Sequence, residues 1–228
     1  MKPIRSRPVR TVFRFVLPFA AIPALVLYGA LWAPPRQYAV ISAAITALSV
    51  LLFFCGFETR KTGSRRLVMA AVFTALAVVG RFIPLVKPVA ALIIFAGLWL
   101  GGEAGFLVGA MTAVISDFTF GQGPWTPFQM LSWGLIGLFA GLLSRPLLRS
   151  RALLALYGLA AGVLFSFVMD VWTVLWLDGS FVAEHYGAAL LSAVPHTALY
   201  CVSNVLFLLL LRKPFGQKMD RVKLKYEL

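Results

Sequence analysis

Few side chains in this chain are able to do chemistry, and several crowd into one stretch, Gly121-Gln122-Gly123-Pro124-Trp125-Thr126-Pro127-Phe128-Gln129. Its two glycines permit tight turns, its two prolines fix φ, and Gln122, Thr126 and Gln129 require hydrogen-bond partners. Pro127 suits the first turn of a helix, so a helix is expected to begin near Thr126, with Gln129 and Trp133 sharing one face a turn apart. Such an elbow is either the rim of a binding pocket or a loop in which Trp125 anchors the membrane interface. The other candidates are Arg81, Lys87, Asp117, Asp170, Trp172 and His196. Asp117 either contacts a ligand or pairs with Arg81 or Lys87. Asp170 stands among Trp172, Thr173 and Trp176 on adjacent turns. His196 either lines a pocket, binds the metal of a corrin-like cofactor, or bonds a carbonyl freed by Pro195. Asn204 is expected to hydrogen-bond between helices. There is no HExxH, no serine–histidine arrangement and no GxxxxGK[ST] sequence, so any energy from ATP must come from partner subunits. Cys55 and Cys201 each sit inside an apolar run, as small buried hydrophobes rather than a disulfide or metal framework.

The elements that position these residues follow from composition. The chain is 61% hydrophobic over 228 residues, and repeated apolar runs of bilayer-spanning length mark an all-α polytopic membrane protein. Eight spans are expected, at about 14–32, 38–55, 67–82, 88–100, 104–120, 126–143, 152–177 and 187–211. The run from Phe15 to Trp32 is too long for a signal-peptide core and is read as a retained helix. Spans shorter than ~20 residues must be tilted or shielded by neighbours. The net charge of +13 reflects topology rather than nucleic-acid binding. With the N-terminus cytoplasmic, 18 of the 21 Lys and Arg fall inside, and only Arg36, Arg81 and Lys87 fall outside. Both termini are therefore expected in the cytoplasm, with an even number of spans.

That orientation gathers Arg81, Lys87, Asp117, Asp170 and His196 in the outer half, His196 at a depth of ~14 Å. An intramembrane charge costs ~2.5–3.5 kcal/mol on insertion scales, so the clustering points to an outward-facing pocket. Small residues organise the packing. Ala71 and Ala75, beside Ala70 and Thr74, make a flat strip; Gly105 with Gly109, Gly134 with Gly137 and Gly141, and Gly158 with Gly162 permit close helix contacts.

These residues carry a resemblance. Arg66-Leu-Val-Met-Ala-Ala-Val-Phe-Thr-Ala-Leu, Lys87-Pro-Val-Ala-Ala-Leu, Gly105-Phe-Leu-Val-Gly-Ala, the central stretch, and Trp133-Gly-Leu-Ile-Gly resemble the S components of energy-coupling-factor (ECF) vitamin transporters, most of all the cobalamin type. The resemblance implies a six-helix core at 67–213. Around it stand a two-helix N-terminal membrane extension at 1–55, a basic cytoplasmic connector at 56–66 and a basic cytoplasmic tail at 214–228. It implies a subunit of an ABC-type importer in the bacterial cell membrane, not an enzyme and without a cofactor of its own. Its partners would be a vitamin-like substrate, a membrane-embedded coupling protein and two ATPase subunits. The expected substrate contacts are Arg81, Lys87, Asp117, Gln122, Trp125, Thr126, Gln129, Trp133, Asp170, Trp172 and His196. The family's coupling motif maps onto Ala71 and Ala75. Cobalamin or a related corrinoid is the first substrate expectation; a queuosine-like base, pantothenate, folate or thiamine is the alternative. Two other classes compete: an intramembrane enzyme using Asp117, Asp170 and His196, and a non-catalytic assembly subunit.

Overall fold

The computed structural model describes residues 7–55 and 63–226. Lys2, Arg5 and the connector residues Arg60 and Lys61 lie outside them. Among the described residues the chain is helical and contains no strand. The first rod begins as α1, Arg7–Val16, passes through a π turn at Leu17–Ala21 and continues as α2, Ile22–Leu31. Pro18 and Pro23 explain the π turn, since each removes an N–H from the i→i−4 ladder and forces a local rewinding. A 3₁₀ turn at Pro35–Gln37 leads to α3, Tyr38–Cys55. Then come α4, Gly63–Gly80; α5, Val89–Leu100; α6, Gly102–Phe120; α7, Thr126–Leu142; a short α8, Ser144–Arg149; α9, Arg151–Asp178; and α10, Ala183–Tyr226. The helix at Thr126 starts where Pro127 placed it. α8 was not expected, and α10 runs through Pro195 and Pro214 well past the expected end of the last span near 211.

Among the described residues five helical stretches are long and apolar enough to cross a bilayer: Val12–Leu31, Tyr38–Cys55, Gly102–Phe120, Arg151–Asp178 and Ala183–Val222. The chain is a multi-pass membrane protein. α5 is shorter, ~18 Å at the helical rise, against a hydrocarbon core of ~30 Å. It need not match the lipid, because all twelve of its residues are buried. It is the axis of the molecule, with α4, α6, α7 and α10 packed on it. Large apolar side chains such as Val68, Val79, Leu156, Leu191 and Leu210 are exposed on the outer helices, where a lipid-facing coat must lie.

Two features set the packing that positions the site. The first is a glycine seam. A Cβ at Gly105 would stand 2.3 Å from the Gly137 carbonyl oxygen, and one at Gly97 would stand 2.2 Å from the same atom. The backbones of α5, α6 and α7 therefore touch; the spacing of small residues predicted this for α6 and α7, and Gly97 adds α5. The second is an ion triad at the end of the bundle where α6 begins. Glu103, 7% exposed, accepts from Arg14 Nε at 2.5 Å and pairs with Arg66 Nη2 at 3.4 Å. Charge patterning did not foresee it, since it gathered every buried ionisable group at the other end. The triad ties α1 to α4 and α6, while α3 packs along α6 and α7. At the opposite end Pro34 and Tyr38 close on Pro124 and Pro127 around a small cavity. Asn204 bridges α10 to α9, donating to the Gly158 carbonyl at 3.1 Å, the interhelical bond expected of it.

Candidate functional site

Burying a polar group without a partner is costly, and a cluster of buried, mutually paired groups forms where α4 and α6 end and α7 begins. α4 stops at Gly80, against which Pro88 lies so closely that a Cβ would stand 2.8 Å from its ring. The chain then turns through 81–88 with Leu85 at φ +62°, a backbone region that costs a leucine about 1 kcal/mol or more. This turn delivers Arg81 and Lys87 to one place.

Asp117, on the last turn of α6, is fully buried. Its Oδ1 accepts from Arg81 Nη1 at 2.5 Å, and its Oδ2 accepts from Thr126 Oγ1 at 2.7 Å. Arg81 Nη1 also donates to Ser116 Oγ at 2.5 Å. Gln129 completes the cluster with its amide nitrogen toward the acid, donating to Oδ1 and Oδ2 at 3.2 and 3.1 Å, while its oxygen accepts from Arg81 Nη2 at 3.2 Å. The reversed amide would set donor against donor, so the network itself assigns the orientation. A buried carboxylate is tolerated only when paired and fully hydrogen-bonded, and Asp117 is both. Its work is to fix Arg81, Thr126 and Gln129. The guanidinium then lies over Phe120 and Trp133, 4.7 and 5.4 Å from the ring centroids.

Beside this cluster opens a cavity of about 290 Å³, lined by Arg81, Leu85, Lys87, Val89, Gln129, Trp133, Phe165, His196, Leu199 and Tyr200. One wall is aromatic: Trp133 stacks on Phe165 at 5.7 Å, and Phe165 meets Tyr200 at 4.8 Å. Trp133 Nε1 donates to Tyr200 Oη at 2.8 Å, which fixes both rings. His196 lies parallel to Tyr200, 6.3 Å between centroids. It makes no hydrogen bond among the described residues, so the carbonyl freed by Pro195 is not its partner. A flat face for stacking, with an amide and a guanidinium at its edge, suits a planar heterocycle with polar margins.

Of the residues singled out in the sequence, Arg81, Lys87, Gln129, Trp133 and His196 line this cavity, and Asp117 and Thr126 stand behind it. The other four lie elsewhere. Gln122 donates to the Val114 carbonyl at 3.2 Å. Trp125 folds over Gly123 and meets Trp172 edge-on at 5.7 Å. Asp170 accepts from Ser166 Oγ at 3.1 Å, and Ser166 Oγ accepts from Thr197 at 2.7 Å. The sequence reading missed Ser116, Phe165 and Tyr200. Tyr200 sits one turn beyond His196 and shared its signal; Phe165 is one more apolar residue in an apolar helix.

A family model, the ECF-type riboflavin transporter S component, matches residues 61–219. The chain belongs to this family. No curated protein and no solved structure gives a significant match. An S component captures the substrate of an importer and leaves ATP hydrolysis to partner subunits, so this chain is a transport protein and not an enzyme. The matched stretch contains every cavity-lining residue of the S component and leaves α1 to α3 outside it. It also contains Ala71 and Ala75. Both are exposed on α4, in an apolar groove of about 490 Å³ that Leu107 and Met111 of α6 and Val50 of α3 help to line.

Proposed function

We propose that this S component takes up a planar heterocyclic vitamin of the flavin class, held at the Arg81–Gln129–Trp133 cavity. The coupling subunit docks on the groove that carries Ala71 and Ala75. The observation that carries the substrate reading is the aromatic wall of Trp133, Phe165 and Tyr200 beside the Gln129 amide, within about 290 Å³. Stacking supplies affinity, and the amide and guanidinium edge supplies selection for ring carbonyls and imide nitrogens. The riboflavin named in the family model supports the same choice. A corrinoid, the first expectation from the resemblance, is several times bulkier than a three-ring heterocycle, and the cavity size favours the smaller ligand. The charge distribution supports a cavity mouth facing outward, with the six-helix core and the two-helix extension both returning the chain to the cytoplasm.

Equilibrium dialysis of the purified full chain against riboflavin and cobalamin tests this. Sub-micromolar riboflavin binding that weakens about tenfold or more in both Q129A and W133A is expected, from one lost hydrogen bond or one lost stacking face. Cobalamin binding without riboflavin binding would restore the corrinoid reading. For docking, A71W is expected to bind ligand like the parent and to fail in uptake when produced with a coupling module in a riboflavin auxotroph. Uptake unchanged in A71W would remove the groove from the proposal.

A further inference from the structure

The cavity holds an unbalanced positive charge. Arg81 is neutralised by Asp117 at 2.5 Å. Lys87 lines the same cavity, yet among the described residues it has no ion-pair partner. Asp117 is paired with Arg81 and Asp178 with His185, while Asp170 accepts from Ser166 and makes no contact with Lys87. The ammonium is only half-buried and stands 5.8 Å from the centroid of Phe120, so an aromatic face rather than an acid backs it. Its backbone is held in place, since the Lys87 carbonyl accepts from Ser203 Oγ of α10 at 2.8 Å and Pro88 stiffens the next residue. A pinned lysine with an aromatic backing and no counter-ion is a vacant anion partner, and charge-assisted contacts are about twice as strong as neutral ones.

We infer that the ligand carries an acidic group, phosphate or carboxylate, that seats on Lys87 while its ring lies against Trp133 and Phe165. This rests on the substrate-capture reading above and narrows it, from a planar heterocycle to its acidic form. Within the flavins, the phosphorylated molecule is then preferred over the uncharged vitamin. Lys87 is the residue that discriminates, while Gln129 and the aromatic wall serve both forms.

Four probes on the full chain test this: riboflavin and its 5′-phosphate, pterin and pterin-6-carboxylate. Each is titrated against the parent, K87Q and K87R. The parent is expected to bind riboflavin 5′-phosphate about tenfold more tightly than riboflavin, the size of one charge-assisted hydrogen bond. K87Q should erase that difference, the 5′-phosphate losing about tenfold more affinity than riboflavin does, and K87R should keep most of it, showing that charge and not folding is at stake. Equal affinities for the two flavins in the parent, or equal losses for both in K87Q, would overturn the inference. If neither flavin binds but the pterin acid exceeds pterin in a Lys87-dependent way, the flavin reading fails and the charge inference stands. If neither acid exceeds its neutral counterpart in any pair, the charge inference fails whichever ring is bound.

Discussion

Replacing Asp117 by Asn leaves the shape of the buried cluster intact while removing the charge that holds Arg81, Thr126 and Gln129 in register. Breaking one side of a buried pair costs about 3–5 kcal/mol, because the remaining charge is left uncompensated. D117N should therefore melt well below the parent in detergent and lose ligand binding, although Asp117 does not line the cavity. R81Q/D117N should recover much of the stability but none of the binding, since the uncompensated charge is gone while the cavity edge is still missing. A double variant no more stable than D117N would show that the pair is not what the cluster depends on. At this scale the sequence was legible wherever a residue carried its own signal. Gln129 and Trp133 were one turn apart behind a proline, and both line the cavity. Arg81 was one of two partners considered for Asp117. Phe165 was invisible, because its role depends on how α9 lies against α7 and not on anything local. Asp170 and Trp172 stand off the cavity for the converse reason: Asp170 accepts from Ser166 within α9, and Trp172 packs edge-on against Trp125.

α5, α6 and α7 meet through backbone, not side chains. With Gly137 facing the carbonyls and Cα atoms of α6 at distances too short for any Cβ, no rotamer change can make room for G137V. Overpacking of this kind typically costs about 1–3 kcal/mol. G137V should fall in thermal stability and lose ligand affinity together, because α7 carries Gln129 and Trp133. L142A, on the exposed end of the same helix, should change neither. The extension offers a second test. Arg14 is substantially exposed while Arg66 and Glu103 are buried, so R14Q should cost well under the loss expected for E103Q. Hydrogen exchange should quicken through α1 and α2 in R14Q without a change in α7. Faster exchange spread evenly over all helices would mean that the triad does not serve as the tie between extension and core. Helix starts marked by proline and strips of glycine were readable from sequence. The length of α10 was not, because Pro214 and the basic run after it look like an ending, whereas Phe215 stacks on Phe95 at 5.4 Å and Met219 is buried.

Across the whole molecule, the proposed membrane sidedness rests on the placement of Lys and Arg and can be checked chemically. With the buried native Cys55 and Cys201 replaced, S180C in the turn between α9 and α10 should react with an impermeant maleimide added to intact cells. Q217C, near the end of α10, should react only after permeabilisation. The reverse pattern would invert the proposed topology and turn the cavity mouth toward the cytoplasm. The helical, membrane-spanning character of the chain was legible because apolar runs and polar breaks alternate along it. The arrangement of the helices was not. The short and most apolar rod, α5, gave no sign that it stands at the centre. Only its complete burial, which frees it from matching the bilayer, accounts for a twelve-residue apolar helix in a membrane protein.

Trp133, one wall of the cavity with its indole N–H held by Tyr200, also gives the protein an optical signature. Its emission arises beside bound ligand, within the distance at which a flavin ring accepts excitation almost completely. A flavin seated there should therefore quench the tryptophan emission on loading. Illumination alone would then distinguish filled molecules from empty ones, without a label.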